Sequence, residues 1–257
     1  MELRLDGKLA LVTGGDSGIG RAIAMRLAAS GADVAITYFT DCEGAERTAR
    51  DIQAFARRSF VAQCDVGASR EVEHLFTSLD ANFGPVDILV NSAGIYRHSM
   101  IAEMPDAIWD RVLKTNLYGP FYCSRAAVTR MLARGIPGRI INITSVHEEA
   151  CGIGGGAYNV SKAGLRNLTR TLAHEVAPNG ITVNSIAPGM ILTPMNHEAV
   201  QDEEFLAFAE EQIPARRAGL PDDVAALALF LASEHASYCT GSTHFVDGGW
   251  MLAWPPV

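Results

Sequence analysis

Tyr158 and Lys162 stand four residues apart in the run Ala157-Tyr-Asn-Val-Ser-Lys162. On a helix this spacing stacks two side chains on one face. It would hold an ammonium beside a phenol. A free phenol, with a pKa of roughly 10, is a poor base at neutral pH, and a nearby cation favours its ionised form. The pair therefore reads as a proton-transfer device, provided that a helix carries it and a cleft surrounds it. The same spacing also occurs where a half-buried Tyr lies beside a solvated Lys, so its meaning depends on the rest of the chain. A second chemical cluster is Thr13-Gly-Gly-Asp-Ser-Gly-Ile-Gly20. Gly14, Gly18 and Gly20 would allow a tight turn and the close approach of a phosphate. A helix opening just after them would add free N–H groups and a partial positive charge.

Such groups need a scaffold, and the hydrophobic pattern supplies one. Short apolar runs at Leu9–Thr13, Asp33–Tyr38, Ser59–Cys64, Val86–Val90, Arg139–Thr144, Thr182–Ile186 and Thr243–Val246 predict strands. Most are continuous rather than alternating, as strands buried on both faces of a parallel sheet are. Helical patterns separate them at Arg21–Ser30, Glu43–Arg57, Ser69–Asn82, Leu117–Arg134 and Ala157–Val176, and another starts at Pro221. The alternation predicts an α/β fold, a doubly wound Rossmann sheet of seven parallel strands with helices on both faces. No linker or composition break appears, so residues 1–257 read as a single domain. Residues 190–217 fit the alternation worst. With Pro194 and Pro214 around a helical stretch, Asp202–Gln212, they read as a substrate-side lid within that domain.

Of the 257 residues 48% are hydrophobic, enough for one large core, and the net charge is −8. That balance argues against nucleic acid as a partner. The five scattered cysteines are odd in number and form no Cys-x-x-Cys pair, which predicts neither a metal site nor a disulfide framework. Neither a signal-peptide core nor a membrane-length apolar run is evident. The expectation is a cytoplasmic protein.

The glycine turn, with Thr13 before it and Ile19 inside it, matches Thr-Gly-x-x-x-Gly-Ile-Gly. In this the chain resembles the short-chain dehydrogenase/reductase family. Other motifs extend the likeness over nearly the whole chain: Asn91-Ser-Ala-Gly94, Asn116 in Lys114-Thr-Asn-Leu117, Ser145 thirteen residues before Tyr158, Pro188-Gly189 with Thr193, and Val246-Asp-Gly-Gly249. Ser92 departs from the family's second Asn. The resemblance implies a catalytic tetrad of Asn116, Ser145, Tyr158 and Lys162. Tyr158 would exchange a proton with a hydroxyl or carbonyl oxygen that Ser145 holds. Lys162 would lower the pKa of Tyr158 and bind the nicotinamide ribose. Asn116 would position a water leading to solvent. The implied cofactor contacts are Gly14, Asp16, Ser17, Gly18, Ile19 and Gly20 in the turn, Tyr38 and Phe39 after the second strand, and Asp65 and Val66 after the third. Asn91, Ala93 and Gly94 follow the fourth, with Tyr158 and Lys162 below the nicotinamide and Pro188, Gly189, Ile191 and Thr193 beyond it. Gly15-Asp-Ser-Gly18 also looks like the tetrapeptide around a trypsin-like serine nucleophile, but the alternation of strands and helices excludes that β-barrel class.

The position that holds an acid in NAD-preferring sites is here Tyr38, and neither Phe39 nor Thr40 is basic. The expected cofactor is NADP or NAD, leaning to NADP, with Arg21 and Arg47 as distant phosphate partners and dual use left open. Ser145-Val-His-Glu148, Thr193-Pro-Met-Asn196 and Asp247-Gly-Gly-Trp-Met-Leu-Ala-Trp-Pro255 resemble bacterial glucose 1-dehydrogenases of this family. The resemblance implies an aldose or polyol substrate touching Tyr96, Ser145, His147 and Asn196. Two other readings stay open: a 3-oxoacyl-carrier-protein or other ketone reductase, and a non-catalytic nucleotide sensor. Family likeness also implies a homotetramer, with Trp250 and Trp254 packed against a neighbouring subunit.

Overall fold

The computed structural model describes residues 3–196 and 201–253. Trp254, Pro255 and residues 197–200 of the expected lid lie outside that range. Strands β1 (Leu9–Thr13), β2 (Asp33–Tyr38), β3 (Ser59–Gln63), β4 (Ile88–Asn91), β5 (Arg139–Ile143), β6 (Thr182–Pro188) and β7 (Thr243–Val246) form one sheet in the order β3-β2-β1-β4-β5-β6-β7. Every pairing is parallel. Parallel neighbours need crossover connections. Helices α1 (Gly18–Ala29), α2 (Cys42–Gln53), α3 (Ser69–Asn82), α4 (Asp106–Leu113), α5 (Gly119–Arg134), α6 (Gly156–Val176), α7 (Glu203–Gln212) and α8 (Pro221–Ala232) lie in the connections.

Side chains alternate across the sheet. Ala10 and Val12 face one core with Ile23, Leu27, Val224 and Leu231 from α1 and α8. Leu9 and Leu11 face the other, with Phe76 and Leu79 of α3 and Cys123 and Met131 of α5. Two covered faces explain why the strand runs are apolar throughout. Among the described residues no helix is long and apolar enough to cross a membrane.

The order of the strands creates the site. From β1 the chain builds outward to β2 and β3, then returns past β1 to β4 and continues the other way. The connections leaving β1 and β4 diverge, opening a crevice at the carboxyl ends of the two strands. Pairing of Thr13 with Asn91 sets those ends level.

Several boundaries differ from the sequence expectation. The helix over 43–57 stops at Gln53, and Ala56 takes a left-handed φ of 56° that no helix continues through. The stretch expected to begin at Leu117 is preceded by α4, which the sequence reading did not include. Between α4 and α5, Lys114–Tyr118 form a π-helical turn. Pro120 gives a physical reason for it. Proline carries no N–H for the carbonyl four residues earlier, that of Asn116, so α-helical bonding cannot run through this point.

Candidate active site

The glycine turn joins β1 to α1. Gly14 has a φ of 64° and Gly18 one of 53°, both left-handed. A Cβ at Gly14 would lie 2.9 Å from Ala93 Cα, and one at Gly20 only 2.0 Å from the Gly14 carbonyl oxygen. Side chains there would fill the cradle beneath the opening of α1. Thr13 Oγ1 accepts hydrogen bonds from the backbone N–H groups of Ser92 and Ala93, each at 3.1 Å, tying the end of β1 to the loop after β4. Ser17 Oγ reaches Asp16 at 3.3 Å. Burial raises the pKa of Asp16. The loop after β6 closes over this turn, placing Thr193 within 3.5 Å of where a Gly18 Cβ would be.

A cavity of about 1080 Å³ runs from the glycine turn to Tyr158. All the sequence-predicted cofactor and substrate residues line it except Asn91. Asn91 and the tetrad member Asn116 are both buried outside the cavity wall. Asn91 Nδ2 donates to Asn142 Oδ1 at 2.8 Å and Ser124 Oγ at 3.2 Å, bracing β4 against β5 and α5. The amide of Asn116 clamps the backbone of Ile95, donating to its carbonyl and accepting from its N–H, each at 2.9 Å. It donates further to Ser161 Oγ at 3.2 Å. Its side chain thus fixes the Ile95 loop against α6.

Tyr158 and Lys162 sit in the first two turns of α6. Lys162 is 5% exposed and donates to the Ile143 carbonyl at 2.9 Å. Its Nζ lies 5.4 Å from the Tyr158 ring centroid, within cation–π range. Burial pushes Lys162 down to about 8, with the buried Glu148 carboxylate working the other way. Burial likewise pushes the Tyr158 phenol above its ordinary value, opposed by a hydrogen bond with Ser145. Desolvation outweighs that bond, because the phenol is held out of water.

Ser145 follows β5 and opens a short 3₁₀ turn in which its Oγ accepts from the His147 N–H at 3.2 Å. His147 Nδ1 contacts the Ala150 carbonyl at 3.0 Å. A carbonyl only accepts, so this bond makes Nδ1 the donor. The His147 ring meets Tyr158 edge-on at 6.0 Å and Trp250 at 6.4 Å. Trp250 accordingly forms part of the cavity wall of its own chain. Tyr96 meets Tyr158 edge-on at 5.4 Å. Asn196 is committed elsewhere: its Oδ1 accepts from Thr193 N and Oγ1 at 3.0 and 3.1 Å, and its Nδ2 donates to the Ile191 carbonyl at 2.8 Å. It staples the loop after β6.

The sequence reading missed other wall residues. Met190, Met195, Phe205, Phe208, Ile213 and Arg111 line the cavity along with Trp250. Arg111 had a signal in the sequence: Pro105-Asp106 is a helix start, and Ile108, Trp109 and Val112 follow at helical spacing. Neither Arg21 nor Arg47 lines the cavity. Arg21 pairs with Asp51 at 2.6 Å, and Arg47 lies 3.9 Å from Asp41 and from Glu43.

Fold and site together define a dinucleotide-binding α/β protein with a phenol and an ammonium at the inner end of its cavity. A family profile described as Enoyl-(Acyl carrier protein) reductase matches residues 14–251. The chain is 45% identical over 248 residues to 3beta-hydroxysteroid dehydrogenase 1 of Eggerthella lenta, covering 96% of this chain and 95% of that one. It is 41% identical over 242 residues to the 3-oxoacyl-[acyl-carrier-protein] reductase FabG of Staphylococcus epidermidis, covering 94% and 98%. A solved gluconate 5-dehydrogenase from Burkholderia cenocepacia, in complex with NADP and tartrate, superimposes with a TM-score of 0.92 at 35% identity and 98% coverage of both chains. The chain belongs to the short-chain dehydrogenase/reductase family. It is an NAD(P)-dependent oxidoreductase acting on CH–OH groups.

Proposed function

We propose that this enzyme interconverts a bulky, mainly apolar secondary alcohol and its ketone, using NADP or NAD. The shape of the cavity carries this reading. It is lined by Ser145, Tyr158 and His147, and also by the large apolar side chains of Met190, Met195, Phe205, Phe208, Ile213 and Trp250. Phe205 and Phe208 on α7 are 48% and 63% exposed, and α7 buries none of its residues. Large apolar side chains facing a cavity rather than a core suit an apolar ligand. We take residues 190–217 as the lid that α7 brings over it.

The glycine cradle, the opening of α1 and the loop from Pro188 to Thr193 fit a dinucleotide. Bound there, NADP or NAD supplies the hydride acceptor or donor. The remaining steps belong to the chain. Ser145 Oγ and Tyr158 hold the substrate oxygen, and Tyr158 takes its proton in oxidation or gives one in reduction. Lys162 places a positive charge beside the ring and a donor near the ribose. Asn116 keeps the Ile95 loop and α6 in register. The lean to NADP rests on Tyr38, which sets no carboxylate against a 2′-phosphate.

An aldose or polyol is the second reading, favoured by likeness to the gluconate 5-dehydrogenase and by the ring of His147 at the reacting end. Asn196 lines the cavity, and its bonds within its own loop leave one amide donor for a sugar hydroxyl. A panel of fused-ring secondary alcohols, aldoses and β-keto esters, assayed with both cofactors by nicotinamide absorbance, separates the readings. About 100 Å² of extra apolar contact is worth about 2.5 kcal/mol, so kcat/KM for the ring alcohols should lead by roughly 70-fold. An aldose that matches or exceeds them removes the apolar reading, and turnover confined to keto esters supports the ketone-reductase alternative.

We also propose a homotetramer. Tyr118, Phe121, Leu132 and Val160 are large apolar side chains left exposed on and beside α5 and α6. Sedimentation equilibrium at micromolar protein should return four times the chain mass. A monomer there removes the proposal.

A further inference from the structure

Glu148 ends the 3₁₀ turn that Ser145 opens, and its N–H donates to the Ser145 carbonyl at 2.9 Å. Its side chain does not line the cavity and is fully buried, 0% exposed. Among the described residues neither carboxylate oxygen has a hydrogen-bond partner. Thr144 and Thr243 bring hydroxyls close, but Thr144 Oγ1 is spent as a donor on the Ile186 carbonyl at 3.1 Å. Charge answers the carboxylate instead. Arg166 on α6 brings Nε to 3.3 Å from Glu148 Oε1, while its Nη1 pairs with Glu149 Oε1 at 2.6 Å. Arg166 stands four residues after Lys162, so the two cations share one face of α6. A buried carboxylate short of hydrogen bonds is costly, and it persists where cations face it.

We propose that Glu148 is a positioning residue for the proton-transfer pair: it pins the Ser145 turn to α6 and supplies the buried negative charge that keeps Lys162 an ammonium. The inference rests on the role given to Lys162 above. Burial holds Lys162 at about 8 even with Glu148 raising it. Without the carboxylate the same burial would carry the lysine roughly one pH unit lower, the scale of a charge pair in a protein interior. At pH 7.5 its charged fraction would fall from roughly three quarters to one quarter, leaving most molecules without a cation beside the phenol. Arg166 has the complementary task. Burial pushes the Glu148 carboxyl up, and the guanidinium opposes that rise and keeps it ionised.

The chain contains three lysines, Lys8, Lys114 and Lys162. Carbon-13 labelling at lysine Cε therefore gives three titration curves by NMR, and Lys162→Met identifies the relevant one. In the cofactor-free protein Lys162 should titrate at about 8. Glu148→Gln should move it roughly one unit lower and leave Lys8 and Lys114 in place. That variant keeps the volume of the side chain, and Arg166 retains Glu149 as a partner. Glu148→Asp keeps the charge and should recover most of the shift. With a ketone that the panel identifies, kcat for reduction should decline with rising pH about one unit earlier in the glutamine variant, at unchanged KM. A strut without an electrostatic role would lower stability in both variants and leave the Lys162 curve where it is. The inference is overturned by a Lys162 midpoint within about 0.3 unit of wild type in Glu148→Gln, or by an aspartate variant that matches the glutamine one. The titration needs neither cofactor nor substrate, so an inactive panel would strike the proposed reaction and leave this test standing.

Discussion

Tyr158→Phe is expected to lower kcat by roughly 10²–10⁴-fold, the range that a positioned proton donor or acceptor contributes. The variant keeps the ring and loses only the hydroxyl. The edge-on contacts with Tyr96 and His147, at 5.4 and 6.0 Å, can persist. Dinucleotide affinity should stay within about threefold of wild type, since the ring still packs and Lys162 still donates to the Ile143 carbonyl. Burial raises the pKa of the phenol in the free protein, so removing the hydroxyl leaves no buried charge behind. The unfolding free energy should change by about 1 kcal/mol, as for loss of one neutral hydrogen bond. Single-turnover kinetics with parallel binding titration checks both halves. Turnover near wild-type level would end the assignment of Tyr158 as the proton-transfer group.

Lys162→Met should separate activity from stability. Activity is expected to fall about 10²-fold or more, because the variant loses the positive charge beside the ring. Stability should move the other way. An ammonium 5% exposed and held down at about 8, from 10.5, is penalised in its charged form. At about 1.36 kcal/mol per pH unit, this penalty is roughly 3 kcal/mol at neutral pH. Between about pH 8 and 10.5 the unfolded chain holds the lysine proton and the folded chain has released it, so the lysine's own contribution to wild-type stability rises with pH over that window. Below about pH 8 both states are protonated and the full penalty remains. The methionine variant lacks the effect. Urea titrations at pH 7 and 9.5 should show the variant more stable at pH 7 and the gap mostly closed at 9.5. Tyr158 pulls the other way above pH 10, and the buried thiols of Cys64 and Cys123 do so from about pH 9, but the thiols act equally on wild type and variant and leave the gap unchanged. A variant less stable than wild type at pH 7 would mean that the bond to Ile143 outweighs the desolvation of the charge.

The pairing of Tyr158 with Lys162 and the glycine turn was legible in the residues alone, because both depend on short-range geometry. Four positions along a helix always share a face, and left-handed φ angles favour glycine whatever surrounds them. The sheet was legible for a related reason: strands covered on both faces leave an unbroken apolar record. The boundaries that shifted were those where local signals conflict, as at Pro120, whose missing N–H turns a helix into a π-helical junction rather than ending it.

Long-range facts were not legible. Asn196 looked wholly free for a sugar hydroxyl, but the fold spends its amide oxygen on Thr193 and one amide hydrogen on Ile191. Trp250, far along the chain from His147, became its neighbour only when β7 took its place beside β6. Phe39 had no basic residue near it in sequence, and α4 brought Arg111 to its face. Lys162 offers the clearest contrast. Its type and spacing named its chemistry, but its proton affinity follows from desolvation, which is set by every element packed around the site. The kinds of groups and their short-range geometry were written in the order of the residues. Which groups remain free, which are charged and which meet across the cavity came from the crossovers that assemble the sheet, because burial and contact are properties of the packed whole.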